Sequence, residues 1–150
     1  MPEKFPPEDL SHHPGHLIRR AQQVLNLVWG EEVSKTTTSP QFAVLNALLL
    51  EPNIDQRTLG DRVALDRSTV AEIVARLTSR RLVRWNRDAR DGRRKTIQLT
   101  RTGERTLQEL IPRTHRMTHR LVSALQPAEQ AELLRLLTRI VHAHEGRQQD

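Results

Sequence analysis

The chain has 150 residues, 36% of them hydrophobic and 3% aromatic, so a single core of aliphatic side chains is expected. The absence of cysteine excludes disulfides and thiolate metal sites, and the longest apolar stretch, residues 42–50, is broken by Asn46 and too short to cross a bilayer. A net charge of +6 and a pI near 11.1 point to an acidic partner.

Residues 1–13 are proline-rich and aperiodic and read as an extended arm. Pro2, Glu3, Lys4, Pro6 and Pro7 stand where a signal peptide would carry an apolar run, so a cytoplasmic location is expected. A helix is predicted from Pro14 and Gly15 towards Lys35. Leu17, Ala21, Val24, Leu25 and Val28 share one face of it, with Ile18 and Trp29 on the flank. The three threonines at 36–38 break it. Ser39 then reads as an N-cap with Pro40 in the first helical position, opening an apolar helix to about Leu50 that Pro52 and Asn53 close.

Leu59, Val63 and Leu65 mark a short helix of about two turns. Asp66 is placed to cap a second helix over residues 67 to about 80, with Val70, Ile73, Val74 and Leu77 as its apolar stripe. Two short helices joined this closely make a helix-turn-helix. Val83 and Trp85, then Ile97 and Leu99, alternate with polar residues and define two short strands. The basic, glycine-containing loop between them makes the hairpin a wing. The fold expected is mainly α with a small β-hairpin wing, a winged helix-turn-helix. Thr102 is then expected to cap a long helix to about Leu125, which Pro112 should kink or restart. Residues 126–129 open a last helix, and residues 145–150 read as a frayed tail. Its apolar surface of Leu133, Leu134, Leu136, Leu137, Ile140 and Val141 is too wide for a lone surface helix, so a homodimer is expected.

Residues 76–105 contain eleven basic residues against three acidic ones, a surplus of eight that exceeds the charge of the whole chain. This concentration of arginine beside a helix-turn-helix points to nucleic acid as the partner. Opposite the apolar stripe of the second helix stand Arg67, Ser68, Thr69, Glu72 and Arg76. Arginine there can pair with guanine or phosphate, and the hydroxyls can meet phosphate or bases; Glu72 can accept from cytosine or pair with Arg76 one turn on. In the wing, Arg90, Arg93, Arg94 and Lys95 are candidate DNA contacts. Asp88 and Asp91 among them can either orient guanidinium groups or serve only as turn-forming acceptors.

The sequence of residues 88–104, DARDGRRKTIQLTRTGE, resembles the wing signature of the MarR family of transcriptional regulators. LDRSTVAEIVARLTSRRLVRW at residues 65–85 resembles that family's recognition helix, and TTTSPQFAVLNAL at 36–48 is similar to a third landmark. One departure is Arg81, where glycine is usual. The resemblance implies dimerisation helices at residues 1–36 and 104–146 flanking a DNA-binding lobe at 37–103. It also implies a pseudo-palindromic operator in double-stranded DNA, and often a small ligand that changes DNA affinity. HPGHLIRRAQQ at residues 13–23 looks like a subgroup responding to aromatic carboxylates. On that reading His16, Arg19 and Arg20 are candidates for the carboxylate, with Trp29 or Phe42 against the ring; a helix–helix or intersubunit salt bridge is the alternative for the arginines. The seven histidines, with His12, His13 and His16 near one end and His115 and His119 four residues apart, lack the further ligands of a metal site, and no metal or cofactor is expected. There is no phosphate-binding glycine loop, nucleophile elbow or Cys/His pair, so no enzyme is expected. Two functions remain: a sequence-specific regulator, chiefly a repressor, tuned by an aromatic carboxylate, or an architectural protein that binds DNA without operator choice.

Overall fold

In the computed structural model residues 7–145 are described, so the beginning of the N-terminal arm and the end of the C-terminal tail lie outside the described residues. The arm is not extended throughout: Asp9 accepts the Ser11 N–H at 3.0 Å and opens a short 3-10 turn at Leu10–His12. Helix α1 follows at Pro14–Glu32, α2 at Ser39–Leu50, α3 at Gln56–Val63 and α4 at Arg67–Ser79. Strands β1 (Val83–Arg87) and β2 (Lys95–Leu99) precede α5 (Arg101–Leu121) and α6 (Pro127–Glu145). The chain forms two compact units, Met1–Met117 and Thr118–Asp150.

The first unit is built on one aliphatic core. Val44, Leu45 and Leu48 of α2 meet Leu59 of α3 and the α4 stripe Val70, Ile73, Val74 and Leu77, joined by Val83, Ile97, Leu99 and Leu107. Local chemistry fixes where each helix starts. Thr38, not Ser39, is the N-cap of α2: its hydroxyl accepts the Gln41 N–H at 3.3 Å, and the Gln41 amide oxygen accepts the Thr38 N–H at 3.2 Å. Three residues beyond Ser39 stands Phe42, which cannot return that second bond, so the reciprocal cap selects Thr38. Asp55 caps α3 and Asp66 caps α4, each accepting an N–H three residues on at 2.8 Å. The turn between them is made by Ala64 in the left-handed region (φ 53°), with Leu65 N–H donating back to Gly60 O at 3.0 Å.

Helix α4 ends in a closely related way. Arg81 adopts φ 57°, and the Leu82 N–H reaches Leu77 O at 3.0 Å. This closure normally uses glycine at the left-handed position. The departure noted in the sequence therefore leaves the turn's shape intact at the cost of a non-glycine residue in that region. β1 and β2 pair antiparallel with Val83 opposite Leu99 and Trp85 opposite Ile97. On its other side β2 bridges to Ile54, with Ile97 N–H donating to Ile54 O at 2.8 Å. That third short segment, between α2 and α3, ties the wing to the helix-turn-helix. It leaves β1 as the outer strand, and Trp85 on it is 41% exposed.

Thr100 rather than Thr102 caps α5. Its hydroxyl accepts the Gly103 N–H at 3.0 Å and donates to Arg81 O at 2.6 Å, so one side chain closes the wing onto the end of α4. The helix neither stops nor restarts at Pro112 and continues to Leu121. Loss of one N–H is tolerated within a helix otherwise held by its neighbouring turns, and Thr114 donates to Ile111 O at 2.8 Å beside the gap. In the second unit Pro127 sits at the start of α6, where its missing N–H costs nothing, and Glu129 accepts the Gln126 N–H at 2.7 Å. No residue of α6 is buried; Leu134, Leu136, Leu137, Ile140 and Val141 are all exposed.

Candidate nucleic-acid interface

Because Val70, Ile73, Val74 and Leu77 are consumed by the core, the opposite side of α4 is left to solvent, and with it Arg67, Ser68, Thr69, Glu72 and Arg76. Ser68 and Thr69 are not loose hydroxyls. Ser68 Oγ donates to Asp66 Oδ1 at 2.7 Å and Thr69 Oγ1 to Asp66 Oδ2 at 2.8 Å, which leaves their lone pairs outward. The Thr69 backbone N–H, then the two hydroxyls, hold the Asp66 carboxyl at about 2, below its usual 3.8. Glu72 takes the local option weighed above and pairs with Arg76 at 2.7 Å, both side chains well exposed. Arg67 flanks a surface hollow shared with Gln56, Arg57 and Asp61 at the N-terminal end of the helix pair.

In the wing the acids act on the backbone. Asp88 accepts the Arg90 N–H at 2.8 Å and Asp91 accepts the Arg93 N–H at 3.0 Å, so both are turn-forming acceptors and the guanidinium groups of Arg90 and Arg93 are not bonded to them. The guanidinium that is held by a carboxylate belongs to Arg94, whose partner is Asp55, the cap of α3. Sequence spacing gave no sign of this pair, because 39 residues separate its members. The Thr58 N–H, and next the Arg94 guanidinium, hold the Asp55 carboxyl at about 2. Lys95 is exposed at the start of β2. A helix face of short polar and arginine side chains, with a cationic hairpin fastened beside it, is suited to a base-edge reading element and a phosphate- or groove-contacting arm.

A second feature lies in the same unit, away from that surface. A cleft of about 880 Å³ opens between α1 and the start of α2. Its apolar wall is Leu25, Trp29, Ala43, Val63 and Leu65; Gln22, Asn26, Ser34, Lys35, Thr38 and Ser39 supply polar groups. Trp29 is buried, its indole N–H donating to Thr37 O at 2.7 Å, and Phe42 packs edge-on against it at 5.6 Å between ring centroids. Of the five expected ligand residues only Trp29 lines this cleft. His16, Arg19 and Arg20 lie one to two turns nearer the start of α1. At 100° per residue Arg19 falls on the stripe of Gln22, Asn26 and Trp29, whereas Arg20 lies on the far side of the helix. Arg19 and His16 touch, with Nη2 of Arg19 3.0 Å from Nδ1 of His16. Among the described residues no group of three or more His, Asp or Glu could hold a metal ion, and no helix is long and apolar enough to cross a membrane.

Helix-turn-helix, wing and long flanking helices together define a winged helix-turn-helix DNA-binding protein. The MarR family profile matches residues 36–94. The HTH-type transcriptional repressor NicR of Pseudomonas putida is 30% identical over 141 residues, covering 93% of this chain and 89% of that protein. The PcaV transcriptional regulator of Streptomyces coelicolor, solved in complex with its natural ligand, superposes with a TM-score of 0.86 at 49% identity, over 93% of this chain and 99% of that one. BpsR of Bordetella bronchiseptica, whose DNA binding is regulated by 6-hydroxynicotinic acid, gives a TM-score of 0.84 at 28% identity, over 91% and 98%. The chain belongs to the MarR family. Its function is DNA-binding transcriptional regulation, and its fold and family are those of regulators rather than enzymes.

Proposed function

We propose that the chain is a cytoplasmic, homodimeric repressor whose grip on a pseudo-palindromic operator is weakened by a small aromatic carboxylate. Residues 37–103 form the DNA-binding lobe in this reading, and residues 1–36 and 104–146 the dimerisation helices. Arg67, Ser68, Thr69, Glu72 and Arg76 face the major groove, while Arg90, Arg93 and Lys95 reach phosphate or the minor groove and Arg94, paired with Asp55, fastens the wing beside them. The observation that carries the effector half is the cleft, whose lining mixes apolar side chains, Trp29 among them, with amides and hydroxyls. A flat ring with a polar substituent suits such a lining. Lys35 in the lining and Arg19 on the adjoining stripe are the cations offered to a carboxylate, with His16 bonded to Arg19 beside it, while Arg20 lies on the far side of the helix. The acid-regulated BpsR supports the class of effector, and the ligand-bound PcaV supports the binding of a small molecule by this fold.

The test is calorimetry with 6-hydroxynicotinic acid, benzoate and hydroxybenzoates, repeated on Lys35→Ala, Arg19→Ala and Arg20→Ala. Binding is expected for at least one acid, weakened about tenfold or more by loss of Lys35 or Arg19, since a charge-assisted hydrogen bond contributes about 1.5–3 kcal/mol. If no acid binds, the chain acts without this class of effector. If the best acid binds all three variants as tightly as the parent, the carboxylate lies elsewhere.

A further inference from the structure

We infer that Arg80 is a positioning residue that transmits displacement of the cleft wall to the recognition helix α4. This rests on the reading of α4 as the DNA-reading element and of the cleft as an effector site. Arg80 is the C-cap of α4, its own N–H still bonded to Arg76 O. Its guanidinium leaves the helix and grips the connector between α1 and α2. Nη1 donates to Thr36 O at 3.1 Å and to the Gln41 amide oxygen at 3.3 Å; Nη2 donates to Thr37 Oγ1 at 3.0 Å. These bonds span about forty residues of sequence, and all three acceptors are neutral oxygens.

The connector is held from the other side by the cleft. The Trp29 indole donates to Thr37 O, and Trp29, Thr37 and Thr38 all line the cavity. Thr37 is 2% exposed and Gln41 6%, so water cannot readily replace a lost partner at either. Gln41 Oε1 is shared: it also accepts the Thr38 N–H that completes the α2 cap. A planar guanidinium bonded to three oxygens has little freedom to follow one of them while keeping the others. A shift of Thr37 or Thr38 must therefore break these bonds or draw the last turn of α4 with it. The apolar packing of α2 against α4 supplies no comparable directional hold on residues 36–38. A second arginine, Arg113 of α5, donates to Val33 O at 3.3 Å and holds the end of α1.

The experiment needs no effector. Trp29→Phe removes the indole donor from the cleft side while keeping an aromatic ring. Hydrogen exchange is measured across α4 in the free protein for Trp29→Phe, Arg80→Gln and the double variant. Trp29→Phe should accelerate exchange in the last turn of α4 by about fivefold or more, the lower end of typical coupling between sites, when Arg80 is present. In the Arg80→Gln background, where that turn already exchanges faster, it should add nothing. Equal effects in both backgrounds, or none in either, overturn the inference.

DNA binding supplies an independent arm, with a duplex recovered by selection with the parent protein. Arg80→Gln should change affinity without changing the salt dependence, and Arg80→Lys, which keeps charge but not the fork, should not restore it. A slope reduced by about one, restored by lysine, would mean that Arg80 simply contacts phosphate, which also overturns the inference. Failure to recover any preferred duplex would sink the operator reading and leave the exchange result to decide the coupling. If Arg80→Gln does not fold, Arg80→Lys replaces it in the exchange cycle.

Discussion

At Gly103 a methyl group would lie 2.0 Å from the carbonyl oxygen of Leu82 and 2.9 Å from its carbonyl carbon, because the first turn of α5 is drawn against that backbone by Thr100. Neither neighbour is a side chain that could swing away. Gly103→Ala should therefore cost at least about 1–3 kcal/mol, seen as a lower denaturant midpoint with unchanged m. The opposite holds at Arg81, where φ 57° burdens a side-chain-bearing residue. Arg81→Gly relieves about 1–2 kcal/mol of left-handed strain and returns part of it as unfolded-chain entropy, so a gain of about 0.5–1 kcal/mol is expected in the same titration. Asp66 gives the pH behaviour. Its folded-state value of about 2 lies below the usual 3.8, so its cap contributes stability above about pH 4 that is lost as pH falls towards about 2. Asp66→Asn still caps but has no proton to gain, and its thermal midpoint should fall less steeply across that interval than the parent's. An identical fall in both proteins would mean that Asp66 does not contribute. At Thr38 and Thr100 a neighbouring hydroxyl, Ser39 or Thr102, offered a similar cap and was read instead, whereas the Asp66 cap was legible in the sequence. Arg80, Arg94 and Gly103 were not, because their partners lie 18 or more residues away and their types are ordinary for exposed positions.

The wing carries the candidate DNA contacts Arg90, Arg93, Arg94 and Lys95. Its acids form turns and its outer arginines are free of them, while Arg94 is fastened to Asp55 of the helix-turn-helix. Arg90→Ala and Arg93→Ala should each weaken operator binding and lower the slope of log affinity against log salt by about 0.9, one phosphate's share of released counterions. Arg94→Ala should instead weaken binding with a smaller change in slope, since its lost partner is a carboxylate of the protein. Slopes measured over a salt series separate the two cases; unchanged binding in both Arg90 and Arg93 variants would remove the wing from recognition. The order of helices and strands was legible because aliphatic periodicity survives wherever one face meets the core, as in α4 and β2. It located β1 through Val83 and Trp85, although Trp85 is 41% exposed. It was silent on Ile54, a single residue that pairs with β2 from within a turn.

On the scale of the molecule, a single chain leaves much apolar surface uncovered. Leu17, Ile18 and Val24 of α1 and Leu134, Leu136, Leu137, Ile140 and Val141 of α6 are each more than two-fifths exposed. Solvated aliphatic surface on two helices is what an intertwined dimer would bury. Sedimentation at micromolar concentration should therefore show the doubled mass alone, and Leu137→Glu with Ile140→Glu should give monomers or aggregates. A stable parent monomer would contradict this. Such a dimer would bring two copies of α4 to one duplex, and a preference for a two-half-site operator would follow. The most direct measurement is the ratio of affinities for a selected palindromic duplex and a scrambled duplex of equal length, at one fixed salt concentration. The account predicts a ratio of about a thousand or more, falling by about tenfold with Arg67→Ala as one base contact is lost. A ratio near one, with both affinities declining equally as salt rises, would contradict it and leave a protein that grips phosphates without reading bases.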